Sequence, residues 1–442
     1  AMCYIRGVAG DYDGWAAAGA DGWDWATVLP YFLRAECNSR GAGPLHGDAG
    51  PLSVSDLRFV NPLSRTFIEA GRQAGFPAND DFNGVTQAGF GLYQVTQRDG
   101  ARCSSAVAYL RPARSRPNLT VQTHAIVSRI TFDAQTQKPR ANGVVYSVSG
   151  KGFHQPAARE VLLCGGTINS PQLLMLSGIG PSAELQRHGI TVHVDAPDVG
   201  ANLQDHLDIC TLQQCTQRIT YDRLSDVRVA FDYFLRGHRG PGTSNIAEAG
   251  AFIRSRHATD ARADIQLHFI PALLDDHGRH RLPGDGYTIH ACFLHPRSRG
   301  RITLASNRVA DKPRIEANYL SDAEGFDLRM MVECARVSRD LLAQPAFDPY
   351  RGNPIHPARN DLSDAELVDF IRAKAETVYH PIGTCRMGSD PQAVVDPRLR
   401  VRGVDGLRVV DASVMPALPS GNTNAPTIMI AERAADMILG RA

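Results

Sequence analysis

No run of about 18 apolar residues occurs anywhere in the 442-residue chain, so no segment reads as a transmembrane helix. An excess of one charge is missing too: 47 Lys and Arg face 46 Asp and Glu, a formal net charge of +1. That balance gives no electrostatic reason to expect nucleic acid or an acidic partner. Aromatics are scarce at 7%. The nine cysteines are odd in number, scattered, and never form CxxC. A zinc ribbon or disulfide scaffold is thereby disfavoured, and a reduced, cytoplasmic-type setting is expected. Internal repeats and low-complexity segments are absent. No GxGxxG follows a buried strand; the near matches, GAGPLHG from Gly41 and GFGLYQ from Gly89, read as loops. A GxSxG elbow is also missing, which weighs against a serine hydrolase, although other enzymes that use His and Asn stay open.

What is present is an ordinary globular composition, 43% hydrophobic and 21% charged, with length for about three domains or two interleaved ones. The most informative stretch lies near the end. YHPIGTCRMG (Tyr379 to Gly388) precedes RVVDASVMPALPSGNTNAPTIMIAERAADMI (Arg408 to Ile438). The second string predicts a buried strand over 407–410, an acidic turn, a Pro/Gly/Asn loop and a helix with Pro426 just inside its start. A strand, a polar turn and a helix N-terminus aimed at one spot suit a phosphate or cofactor. His380, next to Pro381, has a restrained backbone, and an imidazole so fixed suits general acid/base work.

These strings resemble the glucose–methanol–choline (GMC) oxidoreductases, flavoproteins that oxidise alcohols. By that resemblance His380 is the base and Asn424 the partner on the same substrate oxygen. Asp411 lies at the ribityl and phosphate part of FAD, and Val127 against the adenine. Ala412, Asn422, Ala425 and Thr427 complete the implied cofactor contacts. The implied fold is α/β (α+β): a GMC-type FAD-binding domain interleaved with a substrate domain on a mostly antiparallel sheet. In the family, MCYIRG follows a flavin loop and a first βαβ unit; neither occurs in this sequence, so the fold is expected to lack that unit. A half-enzyme, folded but unable to hold FAD until the segment is supplied, is the corresponding non-catalytic alternative, and the chain alone is expected to be poorly stable with weak FAD affinity.

The expected division is 1–50 as flavin lid and connection, 51–115 and 208–376 as substrate domain, and 116–207 and 377–442 as FAD-binding domain. Two short helices are expected over 15–36, and an Asn-capped helix over Asn61 to Gly75. GGTINSPQLLMLSGIG predicts a helix beginning at Ser170-Pro171. His46 and Arg102 read as surface or turn residues, and His206 in VGANLQDH as structural. His268, His277, His280, His290 and His295 suggest a metal, but no carboxylate–cysteine set frames them in the sequence, so none is expected. Asp275 and Asp276 belong to a solvated loop.

Within the family, IQLHFIPALLDDHGRH resembles alkane-pathway alcohol dehydrogenases more than choline dehydrogenases. Glu248 is the candidate anion for a trimethylammonium group, yet aromatic faces are few. The expected substrate is therefore an uncharged primary, aliphatic alcohol, with a quinone or oxygen as electron acceptor. The expected location is cytoplasmic or peripheral at the inner face of the membrane.

Overall fold

Antiparallel pairing organises the middle of the chain. In the computed structural model, which describes residues 2–133, 138–280 and 282–441, six strands lie side by side. Their order is Arg351–His356, Leu207–Cys215, Gly286–Phe293, Ile265–Ile270, Ala249–Ile253 and Gly89–Leu92, and the short Glu376–Thr377 joins the start of Leu207–Cys215. Every pair in this sheet is antiparallel. Side chains alternate between faces, so register decides what each face presents. Ala251, Leu267, Ala291 and Ile209 stand opposite one another in one row. That row is buried against helices Pro62–Gln73 and Phe326–Leu342, with Phe67 stacked on Phe269 at 5.0 Å. The adjacent row, Gly250, His268, His290 and Cys210, points to the opposite face. One face therefore makes core and the other carries chemistry.

A second core joins the two ends of the chain. Leu407–Val409 pairs in parallel with Val161–Leu163, beside the meander Ala125–Asp133, Arg140–Val148 and Lys151–Pro156. Helices Gly166–Leu176 and Asn424–Ile438 pack there, with Trp15, Trp23 and Phe32 from helices Ala9–Ala17 and Trp25–Ala35 and the segment between them. Arg34 ties Trp25–Ala35 to Asn424–Ile438 through Glu432 and Asp436, both at 2.7 Å.

Local signals in the sequence are met at several ends. The Asn61 side chain accepts from the Leu63 N–H at 2.9 Å, capping its helix, and Pro426 lies in the first turn of Asn424–Ile438. The helix expected from Ser170-Pro171 starts four residues earlier, at Gly166, leaving Pro171 inside it. Proline has no N–H for the Thr167 carbonyl four residues back. The Thr384 hydroxyl bonds that carbonyl instead, at 2.6 Å, so the helix continues and is fastened to the HPIGT string.

Candidate active site

His380 lies where the two cores meet, and it is buried. Three features of the chain set its direction. Tyr379 is held at φ +65°, in the left-handed region that costs a non-glycine residue about 1 kcal/mol or more. Its ring turns outward against His277 while the next side chain turns in. Asp205 accepts the His380 backbone N–H at 2.8 Å and is itself fixed by the hydroxyls of Thr377 and Tyr319. Three residues on, Gly383 (φ +95°) passes so close to Asn202 that a Cβ would lie 2.5 Å from its carbonyl oxygen.

The imidazole stands in a chain of neutral hydrogen-bonding groups. Its Nδ1 is 3.0 Å from His206 Nδ1, and its Nε2 is 3.0 Å from Asn422 Nδ2. His206 Nε2 is 3.1 Å from the carbonyl of Leu294, which can only accept. Burial keeps both rings uncharged: it pushes His206 down to about 3, and it holds His380 well below its ordinary value, aided by the neighbouring His206 and His268. One assignment of protons then satisfies the chain. His206 donates from Nε2 to Leu294 and accepts at Nδ1, so His380 donates from Nδ1, and its Nε2 presents a lone pair. Asn422 Nδ2–H faces that lone pair, and Asn422 Oδ1 accepts from Gln266 Nε2 at 3.0 Å. An acceptor nitrogen and an amide donor at one point match an alcohol, whose oxygen gives a proton to one and takes a hydrogen bond from the other.

The position beside His380 is occupied by Asn422 rather than by Asn424. Asn424 is exposed as the first residue of its helix, whereas Asn422 is buried two residues earlier. Gly421 makes the difference: at φ +137° it brings the chain to within 2.4 Å of Ile5 for any added Cβ. His206, read as structural, is in direct contact with His380. Asp411 is saturated within the protein, accepting from Gly166 N–H (2.9 Å), Ser170 O–H (2.6 Å), and both Ser413 N–H (2.8 Å) and O–H (2.5 Å). It pins the 407–410 strand end to the start of helix Gly166–Leu176. Ala412 accepts from Gly383 N–H at 3.4 Å, placing the acidic turn against the HPIGT string. Ala425 is buried in the first helical turn, and the Thr427 hydroxyl is spent on the Thr423 carbonyl at 2.7 Å. Val127 lies apart, half-buried on Ala125–Asp133 opposite Tyr146.

A flavin dinucleotide fits what these residues leave open. Helix Asn424–Ile438 begins without a side-chain cap, so its first N–H groups and positive dipole end are available next to His380 and Asn422. At the start of helix Gly166–Leu176 the Gly166 N–H is taken by Asp411 and the Gly165 N–H by Ser170 Oγ at 3.0 Å, while Gly166 (φ +79°) has open space where a Cβ would be. The backbone at Asn424 and Ala425 would hold such a group, with the open space at Gly166 admitting its approach.

Two further sites escaped the sequence. His46, read as a surface residue, bridges Glu36 (3.2 Å) and Asp81 (2.9 Å), which raise it to about 9. Around His290 the structure does assemble a carboxylate–cysteine set, Asp208, Cys210 and Glu376. Among the described residues, no helix is long and apolar enough to cross a membrane.

Comparison with known proteins places the chain among flavin-type oxidoreductase relatives. The N-terminal GMC oxidoreductase family model matches residues 1–208 and the C-terminal one residues 296–431. Alcohol dehydrogenase [acceptor] of Pseudomonas putida is 46% identical over 99% of this chain and 80% of its own. The mitochondrial choline dehydrogenase of Mus musculus is 45% identical over 100% of this chain and 74% of its own. Among solved structures, pyridoxine 4-oxidase from Mesorbium loti superposes with a TM-score of 0.88 at 30% identity, covering 100% of this chain and 82% of that one. Formate oxidase of Aspergillus oryzae RIB40 gives 0.91 at 27% identity, covering 99% and 82%.

Proposed function

The chain belongs to the GMC oxidoreductases, FAD-dependent enzymes, and from that premise we propose that it oxidises an uncharged primary alcohol to the aldehyde with His380 as the base. The observation that carries this reading is the 3.0 Å approach of the Asn422 amide nitrogen to Nε2 of the buried His380, whose Nδ1 meets His206 at 3.0 Å. His380 takes the hydroxyl proton at Nε2, and Asn422 Nδ2–H steadies the negative charge that grows on the oxygen. His206 keeps Nδ1 protonated and so keeps Nε2 free to act. Bound FAD supplies the hydride acceptor. The electrons then pass to an acceptor, which we take to be a quinone or oxygen.

The alcohol dehydrogenase and the choline dehydrogenase carry names of different substrate classes at nearly equal identity, so the choice rests on the site. A choline pocket would need a free anion for the trimethylammonium group. Glu248 is not free: its Oε2 accepts from Asn61 N–H and Ser64 O–H, and its Oε1 from Ser244 O–H and Tyr221 O–H. The groups that bond Asn422 and the outer nitrogen of His206, the Gln266 amide and the Leu294 carbonyl, are uncharged. Medium-chain primary alcohols should therefore give a higher kcat/KM than choline in steady-state assays with an artificial acceptor. A higher value for choline would overturn the substrate choice.

A further inference from the structure

We infer that strands Leu207–Cys215, Gly286–Phe293 and Glu376–Thr377 build a binding site for a divalent first-row transition-metal ion of the zinc class. Strand register produces it. Cys210 stands directly opposite His290, and Asp208 directly opposite Glu376. Asp208 and Cys210 are two residues apart, so they share a face. One donor atom from each of the four lies within 4.8 Å of all the others.

The distances suit a small cation. Cys210 Sγ lies 3.1 Å from His290 Nδ1, 3.6 Å from Glu376 Oε1 and 3.8 Å from Asp208 Oδ2. Tetrahedral zinc, with bonds of about 2.0–2.3 Å, separates its ligands by about 3.3–3.8 Å. The Asp208–His290 contact, at 2.5 Å, would open by roughly 1 Å on binding.

Without an ion the cluster is poorly balanced. Two carboxylates face each other across neighbouring strands, an arrangement that is unfavourable unless positive charge lies between them. Asp208 is almost wholly buried, and its Oδ1 has no hydrogen-bond partner. Leaving a buried acceptor unpaired is costly; the His290 ring and the thiol face Asp208 Oδ2, and the His277 backbone N–H serves Glu376 Oε2 at 3.2 Å, so none of them relieves Asp208 Oδ1. A thiolate, an imidazole and two carboxylates favour zinc-like ions over magnesium or calcium. On the solvent side, His277 Nε2 comes to 3.4 Å from Glu376 Oε2, and Asp276 belongs to the same overlapping group, so this loop gives an entry route and a further donor. The ion would lie outside the reacting pair. His290 stands opposite His268, which reaches Asn422 through Gln266.

The test is a titration of the full chain, stripped with a chelator and kept reduced, with Co2+ as the probe. One equivalent should bind and produce d–d bands to the red of flavin absorption, together with a thiolate-to-cobalt charge-transfer band. Zn2+ should abolish both by displacement. Cys210→Ser should bind without the charge-transfer band, and His290→Gln should bind at least about tenfold more weakly. Absence of the thiolate band in the unaltered chain overturns the inference whatever the variants do. So does a band that persists in Cys210→Ser, or binding through Asp276 and His277 that leaves the thiol untouched.

Discussion

Replacing His206 by alanine removes the group that accepts the His380 Nδ1–H at 3.0 Å in a site closed to water. A buried donor left unpaired costs about 1–3 kcal/mol. His380 can escape that cost by moving its proton to Nε2, where it loses the lone pair needed for the reaction. At about 1.4 kcal/mol per factor of ten, kcat/KM for an alcohol should fall about 5- to 150-fold. Some loss could come from the cavity alone, so His206→Gln is the control: its side-chain oxygen can accept the same N–H, and it should recover much of the rate. 15N chemical shifts of the histidines report the tautomer independently, with the Nδ1–H form of His380 dominant in the wild type and in His206→Gln but not in His206→Ala. Equal losses in the two variants with an unchanged tautomer would refute the reasoning, as would a His206→Ala rate within about twofold of wild type.

The two asparagines of NTN should separate cleanly: Asn422→Ala should lower kcat by roughly 10²- to 10³-fold, the usual cost of a lost oxyanion donor, and Asn424→Ala by far less. The opposite order in steady-state kinetics would show that the pairing with His380 has been misjudged. Thr384→Val should cost about 1–3 kcal/mol, since it strands the Thr167 carbonyl left free by Pro171, while Thr384→Ser should not; thermal denaturation of the two variants decides. His46 is raised to about 9 by Asp81 and Glu36, so its contribution to stability is complete below pH 6.5 and is lost as pH rises through about 9. Discounted for partial exposure, this amounts to about 1–2 kcal/mol. The melting temperature of wild type should therefore fall more steeply than that of His46→Gln across that window, and parallel curves would remove His46 from the stability of this region.

The parts of the fold legible in the sequence were those governed by neighbouring residues. Asn61 before Pro62 announced a capped helix, alternating runs announced the antiparallel sheet, and the proline after His380 announced a restrained, inward-turned imidazole. Where a choice depended on helix phase, the sequence was ambiguous. The string GNTN offers two asparagines, and only the chain reversal at Gly421 shows which one turns inward. The proline rule put a helix start at Ser170-Pro171, because the partner that takes the freed carbonyl, Thr384, is more than two hundred residues away. His206 meets His380 by the same long route. The set Asp208, Cys210, His290 and Glu376 depends on strand register, which alternation alone does not supply.

The most direct test of His380 as base is the anaerobic reductive half-reaction of FAD-loaded protein with a medium-chain primary alcohol, followed by loss of flavin absorbance in wild type and His380→Ala. Wild type should bleach rapidly. The rate should depend on a group that must be deprotonated, titrating below the ordinary histidine value because burial disfavours its charged form. His380→Ala should bind FAD as before and bleach roughly 10²- to 10⁴-fold more slowly, without that acid limb. Bleaching of the variant at the wild-type rate, with the same pH dependence, would contradict the account.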